Sequence, residues 1–462
     1  MQQMWGCCSS YINWLSVTMS AMSQTKPAMS RQLGLFGATF MGLGSIVGTG
    51  IFVSIGIAAG IAGPWVIVAV VVAAMVAACN ALSSAQLAAA HPVSGGTYEY
   101  GYRYLSPLLG FSAGWLFVSA KVASAATAAL GFTGYLLHLT GQDMRWLTPA
   151  AVAVVVLMTL LVAGGIRRSS LANNIIVSIT LLGLLVFVLA CLPEAMSQRD
   201  KHWQGLFASD DASPTTTWNH LFEACALMFV AYTGYGRIAT MGEEVTEPSR
   251  TIPRAIILTL LISAALYAVV ALVAVGAVGA PVLTELTQQT AAPLEAIAKQ
   301  LTHPAIAWIV SLAAMTAMLG VLLNLILGIS RVVLAMGRRG DLPAIFTRIN
   351  ARTGSPLPAV IVTGLLIAVL VSLGSIKLAW SFSAMTVLVY YAVTNLAAIR
   401  LPREDRRYPV IIAWLGLIAC LLLARFVAAD IRLMGAGWMV IGLLWHLWCR
   451  RTYHGRDAQV NG

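Results

Sequence analysis

Gly44-Ser45-Ile46-Val47-Gly48-Thr49-Gly50-Ile51-Phe52 sits in the middle of an apolar run from Leu35 to about Ala62, long enough to cross a bilayer. Three glycines inside a helix each cost roughly 1 kcal/mol relative to alanine. Close packing against a neighbouring helix accounts for Gly44 and Gly48, spaced i, i+4, but not for Thr49 and Gly50 following at once. A helix broken here exposes backbone N–H groups at the start of its second half. That end carries about half a positive charge and makes an anion site. Irregular backbone at membrane depth survives only where it is buried in protein or lines a cavity. The stretch therefore predicts a binding site within a membrane.

Outward from it, the chain repeats the same apolar theme. Of its 462 residues, 59% are hydrophobic and 10% charged, and the mean hydropathy is +0.83. This composition predicts an all-α polytopic membrane protein with one membrane domain and no soluble one. Twelve apolar segments can be marked, at about 35–62, 65–90, 108–138, 147–165, 171–192, 218–242, 254–279, 305–336, 357–373, 377–399, 409–428 and 433–448. The net charge of +11 is topological. Nineteen of the 28 Lys and Arg residues fall on the side that holds both termini, among them Arg167, Arg168, Arg338, Arg339, Arg406 and Arg407. Both termini are thus expected to be cytoplasmic in the cell membrane. Nucleic acid is not an expected partner; the lipid bilayer is. The seven cysteines show no CxxC spacing, and the seven histidines form no metal-spaced pair. No nucleophile elbow is present, so neither an enzyme, a metal site nor a cofactor is expected.

Before the first span, residues 1–30 read as a cytoplasmic tail. No basic region precedes an apolar core there, so it is no signal peptide, and Met22 or Met29 could be the start. The transmembrane domain covers 31–450, and 451–462 form a second cytoplasmic tail.

The sixth segment repeats the peculiarity of the first. Phe229-Val230-Ala231-Tyr232-Thr233-Gly234-Tyr235-Gly236 places two glycines mid-span, followed at once by Arg237. Interruptions in spans one and six are five spans apart, so two such repeats run in opposite directions across the membrane. That is the pattern of an inverted-repeat transporter, with its site at the midplane between two discontinuous helices. Repeat one would cover about 35–192, repeat two about 218–399, with extra helices at about 409–448.

Several motifs resemble the amino acid–polyamine–organocation superfamily, near the bacterial relatives of the cationic amino acid transporters. Gly48-Thr49-Gly50-Ile51-Phe52 resembles the helix 1 signature. Pro92-Val93-Ser94-Gly95-Gly96-Thr97-Tyr98, with Gly110-Phe111 and Gly114-Trp115, resembles the loop and opening of helix 3. Ala231-Tyr232-Thr233-Gly234-Tyr235, with Glu243-Glu244-Val245 and Pro248, resembles helix 6 and its exit. Ser330-Arg331, Ala335-Met336, Arg338 and Gly340-Asp341-Leu342-Pro343 resemble the end of helix 8. The resemblance implies the five-plus-five inverted-repeat fold of the leucine transporter with two additional helices, about twelve in all. It implies amino acid transport by alternating access. The substrate carboxylate would meet the N–H groups of Gly48, Thr49 and Gly50, and its ammonium the carbonyls near Ile46, Phe229, Val230 and Tyr232.

Two departures bear on coupling. Where proton-coupled relatives carry a helix 5 lysine, this chain has Thr180, and the aspartate often found after the helix 6 aromatic is replaced by Gly236. Instead Lys121 lies near the centre of the third span, at an insertion cost of roughly 3 kcal/mol. It is the candidate carrier of a coupling proton, or a sodium mimic bonded to helix 1 carbonyls; hydrogen bonding to backbone carbonyls in a purely structural role is the other reading. Arg237, Glu243, Glu244 and Arg331 are gate candidates. Arg237 could reach the substrate, pair with a glutamate or simply pack. With no carboxylate expected at the midplane, neutral amino acids are favoured over cationic ones. Tyr232, Thr233, Tyr235, Ser119 and Asn324 are candidates to line the pocket.

Overall fold

The computed structural model describes residues 33–93, 95–164, 169–198, 200–202, 214–241, 245–290, 292–350 and 352–460. Helices account for nearly all of them: α1 (Leu35–Ile46), α2 (Ile55–Ala62), α3 (Val66–Ala90), α4 (Thr97–Tyr104), α5 (Pro107–Thr140), α6 (Leu147–Ala163), α7 (Ser169–Ser197) and α8 (Pro214–Tyr232). There follow α9 (Gly236–Ala239), α10 (Pro248–Thr290), α11 (Pro293–Leu301), α12 (Pro304–Arg339), α13 (Leu357–Val371), α14 (Ile376–Arg400), α15 (Val410–Phe426) and α16 (Ala429–Val460). Extended pairing among the described residues is confined to one isolated bridge, Leu33 with Val245.

Eight helical stretches among the described residues are long and apolar enough to cross a membrane, and α13 and α15 are shorter apolar helices. Leu160, Leu261, Leu365 and Leu433 stand more than 60% exposed. Apolar side chains facing outward along whole helices fit hydrocarbon rather than water. The fold is therefore that of an all-helical, multi-pass membrane protein. Its centre is built on α5, the most enclosed of these stretches, which packs against α12 and α14.

The quoted stretch is where regular helix fails. α1 stops at Ile46, Val47 turns to extended backbone (φ −78°, ψ 97°), and helical angles resume at Thr49 (φ −51°, ψ −33°). The chain re-enters through a wide π-helical turn, Gly50–Ser54, that runs on into α2. Ile51 and Phe52 both donate to the Gly48 carbonyl, at 3.0 and 3.1 Å. The amides of Gly48, Thr49 and Gly50 thus form the open N-terminal end of the second half. Close approach explains Gly50: a Cβ there would lie 2.2 Å from the Tyr267 hydroxyl and 2.8 Å from the Ala231 Cβ.

The second interruption is milder than the sequence suggests. α8 runs to Tyr232, Thr233–Tyr235 tightens to a 3₁₀ turn, and α9 resumes at Gly236. Backbone angles stay right-handed helical at Tyr232 and Tyr235, so this is a narrowing rather than an opening. Gly234 is pressed onto the first break: a Cβ there would sit 2.4 Å from the Ser45 carbonyl oxygen.

The stretch 280–303, expected as a connection, is structured. Gly279 (φ 79°, ψ 158°) kinks α10 where the seventh apolar segment was expected to end, and α11 follows. α11 packs on α10, α12 and the Gly50–Ser54 turn.

Candidate functional site

A cavity of about 20 Å³ lies between the two interruptions. Ser45, Ile46, Thr49 and Gly50 line it from the first break. Val230, Ala231, Thr233 and Gly234 line it from the second, Lys121 and Ser124 from α5, Val321 and Leu325 from α12, and Trp380 from α14. Lys121 is the charged side chain among these residues; they include no carboxylate.

The backbone fixes each polar group. Lys121 Nζ donates to the Thr233 hydroxyl at 3.1 Å and to the Thr233 carbonyl at 3.3 Å. The Thr233 hydroxyl in turn donates to the Val230 carbonyl near the end of α8 at 2.8 Å. Tyr391 donates to the Thr233 carbonyl at 3.4 Å. Tyr267 bridges the breaks, donating to the carbonyls of Ile46 (3.0 Å) and Ala231 (3.3 Å). Ser124 and Ser383 share a hydrogen bond of 2.8 Å, and Ser383 donates to the Ala120 carbonyl at 3.0 Å, fixing α5 beside α14. Across the cavity, the buried Thr49 hydroxyl has no hydrogen-bond partner among the described residues.

The anticipated residues divide. Ile46, Thr49, Gly50, Val230, Thr233 and Lys121 come together at the cavity. Gly48 lies just behind it, against Val321. Phe229 and Tyr232 on α8, and Tyr235 in the turn that follows, do not line it; their buried side chains pack against other helices instead. Phe229 and Tyr235 pack on Tyr391, and the Tyr232 hydroxyl bonds the Val70 carbonyl at 3.2 Å. Ser119 accepts from Trp438 Nε1 at 2.6 Å, away from the site. Asn324 donates to Asn173 at 2.7 Å and to Gly320 at 2.9 Å, helping to join α12 to α7. Lys121 bonds the second break, not the carbonyls of the first.

Among the gate candidates, Arg237 is buried outside the cavity lining, its Nη1 on the Thr240 hydroxyl at 3.1 Å. Arg331 is buried in α12, and Glu243 and Glu244 fall outside the described residues. Thr180 returns its hydroxyl to the Ile176 carbonyl of its own helix at 2.8 Å.

Several residues escaped the sequence reading. Trp380, Tyr267 and Tyr391 reach the breaks from distant helices, with no local signal. Glu295 and Asp341 are the two buried carboxylates among the described residues. Asp341 accepts from the hydroxyls of Tyr98 and Tyr102, both at 2.7 Å, with His446 Nδ1 3.2 Å away. It ties α4 and α16 to the end of α12, where Arg339 pairs with Glu99.

A bundle of membrane-crossing helices with a polar cavity between two interrupted ones defines a transport protein of the permease class. The chain belongs to the amino acid permease family, within the amino acid–polyamine–organocation superfamily, whose model matches residues 33–444. An uncharacterized transporter of Mycobacterium tuberculosis is 39% identical over 90% of this chain and 91% of its own. A branched-chain amino acid permease of Bacillus subtilis is 27% identical, covering 92% and 94%. Cationic amino acid transporter 4 of Homo sapiens is 27% identical, over 83% of this chain and 62% of the human one. The chain is thus an amino acid transporter in general terms, with a transporter's rather than an enzyme's relatives.

Proposed function

We propose that this permease is a secondary active transporter of neutral amino acids, working by alternating access on a five-plus-five inverted repeat and coupled to protons through Lys121. The single observation behind this reading is the polarity of the cavity. On one side the Gly48–Gly50 amides and the unpartnered Thr49 hydroxyl offer donors to a carboxylate. On the other, carbonyls of Ile46 and Val230 at helix C-terminal ends offer acceptors to an ammonium. Ile46 and Val230 each hold one hydrogen bond, and a carbonyl has a second lone pair. A zwitterion matches both ends. A further cation on the side chain would meet Lys121 with no carboxylate in the lining. Val230, Val321, Leu325 and Trp380 give the side chain apolar walls, in keeping with the name of the branched-chain amino acid permease that this chain resembles.

In this reading the protein sits in the cell membrane with both termini cytoplasmic. Arg237, Arg331, Glu243 and Glu244 belong to the cytoplasmic gate. Lys121 alternates between holding the Thr233 turn and releasing it as its proton comes and goes.

The test is uptake of labelled neutral amino acids into proteoliposomes, with and without an inward proton gradient. Uptake that rises with the gradient, and a Lys121→Met variant that loses this response, are expected. Uptake that instead requires internal amino acid identifies an exchanger. Binding without flux identifies a sensor. A Lys121→Met variant with the wild-type rate and pH response refutes the coupling role.

A further inference from the structure

The charge the transport reading leaves unused lies at the far end of α5. His138 Nε2, in its last turn, stands 2.9 Å from Glu295 Oε2 on α11. The Glu295 side chain is 5% exposed and that of His138 28%. Three residues before His138, the Tyr135 hydroxyl donates to the Phe52 carbonyl at 3.2 Å, inside the Gly50–Ser54 turn, and the two rings meet edge to face. α11 rests on that same turn. One carboxylate–imidazole contact therefore joins the short helix above the first break to the long helix that carries Lys121.

We propose that Glu295 and His138 form a proton-binding latch on α11, seated over the second half of helix one while the proton is bound and released when it leaves. The proposal rests on the reading that this half-helix moves during transport. Burial raises the Glu295 carboxyl above the usual carboxylate range, and the charges of His138 and Lys299 pull it partly back. A lifted α11 would return Glu295 to water and to its ordinary affinity for protons. The seated state thus binds the proton more tightly, so protonation favours seating and deprotonation favours lifting.

Other ionisable groups on the packed elements are accounted for. Lys299 lies one turn along α11 and Tyr135 one turn back on α5. Glu285 is exposed and holds Gln289, Glu194 on α7 holds Gln198 at 3.1 Å, and His303 caps α12. The Gly50–Ser54 turn and residues 304–320 carry no charge.

The experiment uses full-length protein in proteoliposomes. Ala298→Cys places a thiol at a fully buried position of α11, and a membrane-impermeant maleimide reads its exposure without any substrate, with the native-cysteine background subtracted. Labelling, divided at each pH by the rate of a permanently exposed reference cysteine so that thiolate formation cancels, should quicken as pH rises above the ordinary carboxylate range, by at most about tenfold per pH unit, the limit for one proton. Glu295→Gln, permanently neutral, should hold labelling at the slow rate at every pH. His138→Gln, which removes an attraction that favours the ionised carboxylate, should move the midpoint to higher pH. Labelling that ignores pH in the parent, or keeps its pH dependence in Glu295→Gln, overturns the latch. Should Glu295→Gln not fold, an unmoved midpoint in His138→Gln overturns it equally. Because no substrate enters the assay, the transport reading stands or falls separately.

Discussion

Gly234→Ala is the sharpest perturbation of the site. The new Cβ would lie 2.4 Å from the Ser45 carbonyl oxygen and 2.5 Å from Ile46 Cγ1, where ordinary contact begins near 3.4 Å. Ser45 offers backbone, which cannot swing aside, so the Thr233–Tyr235 turn must retreat by about 1 Å. Lys121 Nζ is 3.1 Å from the Thr233 hydroxyl; the retreat takes that contact to about 4 Å, beyond hydrogen bonding. Overpacking costs about 1–3 kcal/mol, and losing a hydrogen bond from a charged donor about 1.5–3 kcal/mol. Alanine's better helix propensity returns at most about 1 kcal/mol. A net loss of about 3 kcal/mol is expected, read as a lower thermal midpoint in detergent. Gly437→Ala, where nothing lies within 4 Å, is the matched control. Combining Gly234→Ala with Lys121→Met gives a second reading: since the first change already parts the two groups, the second should add little. A Gly234→Ala protein that melts with the parent, or a pair whose effects simply add, refutes the packing argument.

Two further substitutions test other parts of the structure. Thr49→Val removes the one unpartnered hydroxyl of the cavity at nearly constant volume, so stability should hold or rise slightly while substrate affinity falls about tenfold, measured by equilibrium binding. Asp341→Ala strips the hydrogen bonds of Tyr98 and Tyr102 from a buried carboxylate, which should cost about 3 kcal/mol in a thermal melt and leave substrate affinity unchanged.

The first break was legible because Gly48, Thr49 and Gly50 are each poor helix residues and stand together in an otherwise apolar run. The second was legible in place but not in kind. Gly234 is there for close packing against Ser45, not for an unusual backbone angle, and the two reasons for a glycine look alike in a sequence. α8 stays helical to Tyr232 and a 3₁₀ turn carries Tyr235, so which side chains reach the cavity depends on where the neighbouring helices stand: Val230 lines it, and Phe229, Tyr232 and Tyr235 do not. Lys121 stood out by its charge, yet its partner depended on which break α5 faces, a tertiary fact. α11 was passed over because a nine-residue helix is too short for any count of membrane-length apolar runs. Glu295 carries no local signal of its burial, which depends on the helices that α11 packs against. The membrane-crossing, all-helical character was easier, since bilayer thickness imposes the length of apolar runs.

The size of the cavity sets a thermodynamic condition on everything that binds there. About 20 Å³ is room for roughly one water molecule, and an amino acid has several times as many heavy atoms. The conformation described is thus the tight one, and a substrate must find the protein in a roomier conformer. The measured dissociation constant is then the intrinsic one divided by the fraction of molecules already roomy. Each tenfold scarcity of that conformer weakens apparent binding by about 1.4 kcal/mol. Substitutions far from the cavity that loosen helix packing can therefore raise apparent affinity without touching the ligand, and tight packing around Gly50 and Gly234 makes weak binding the expected companion of the tight conformer.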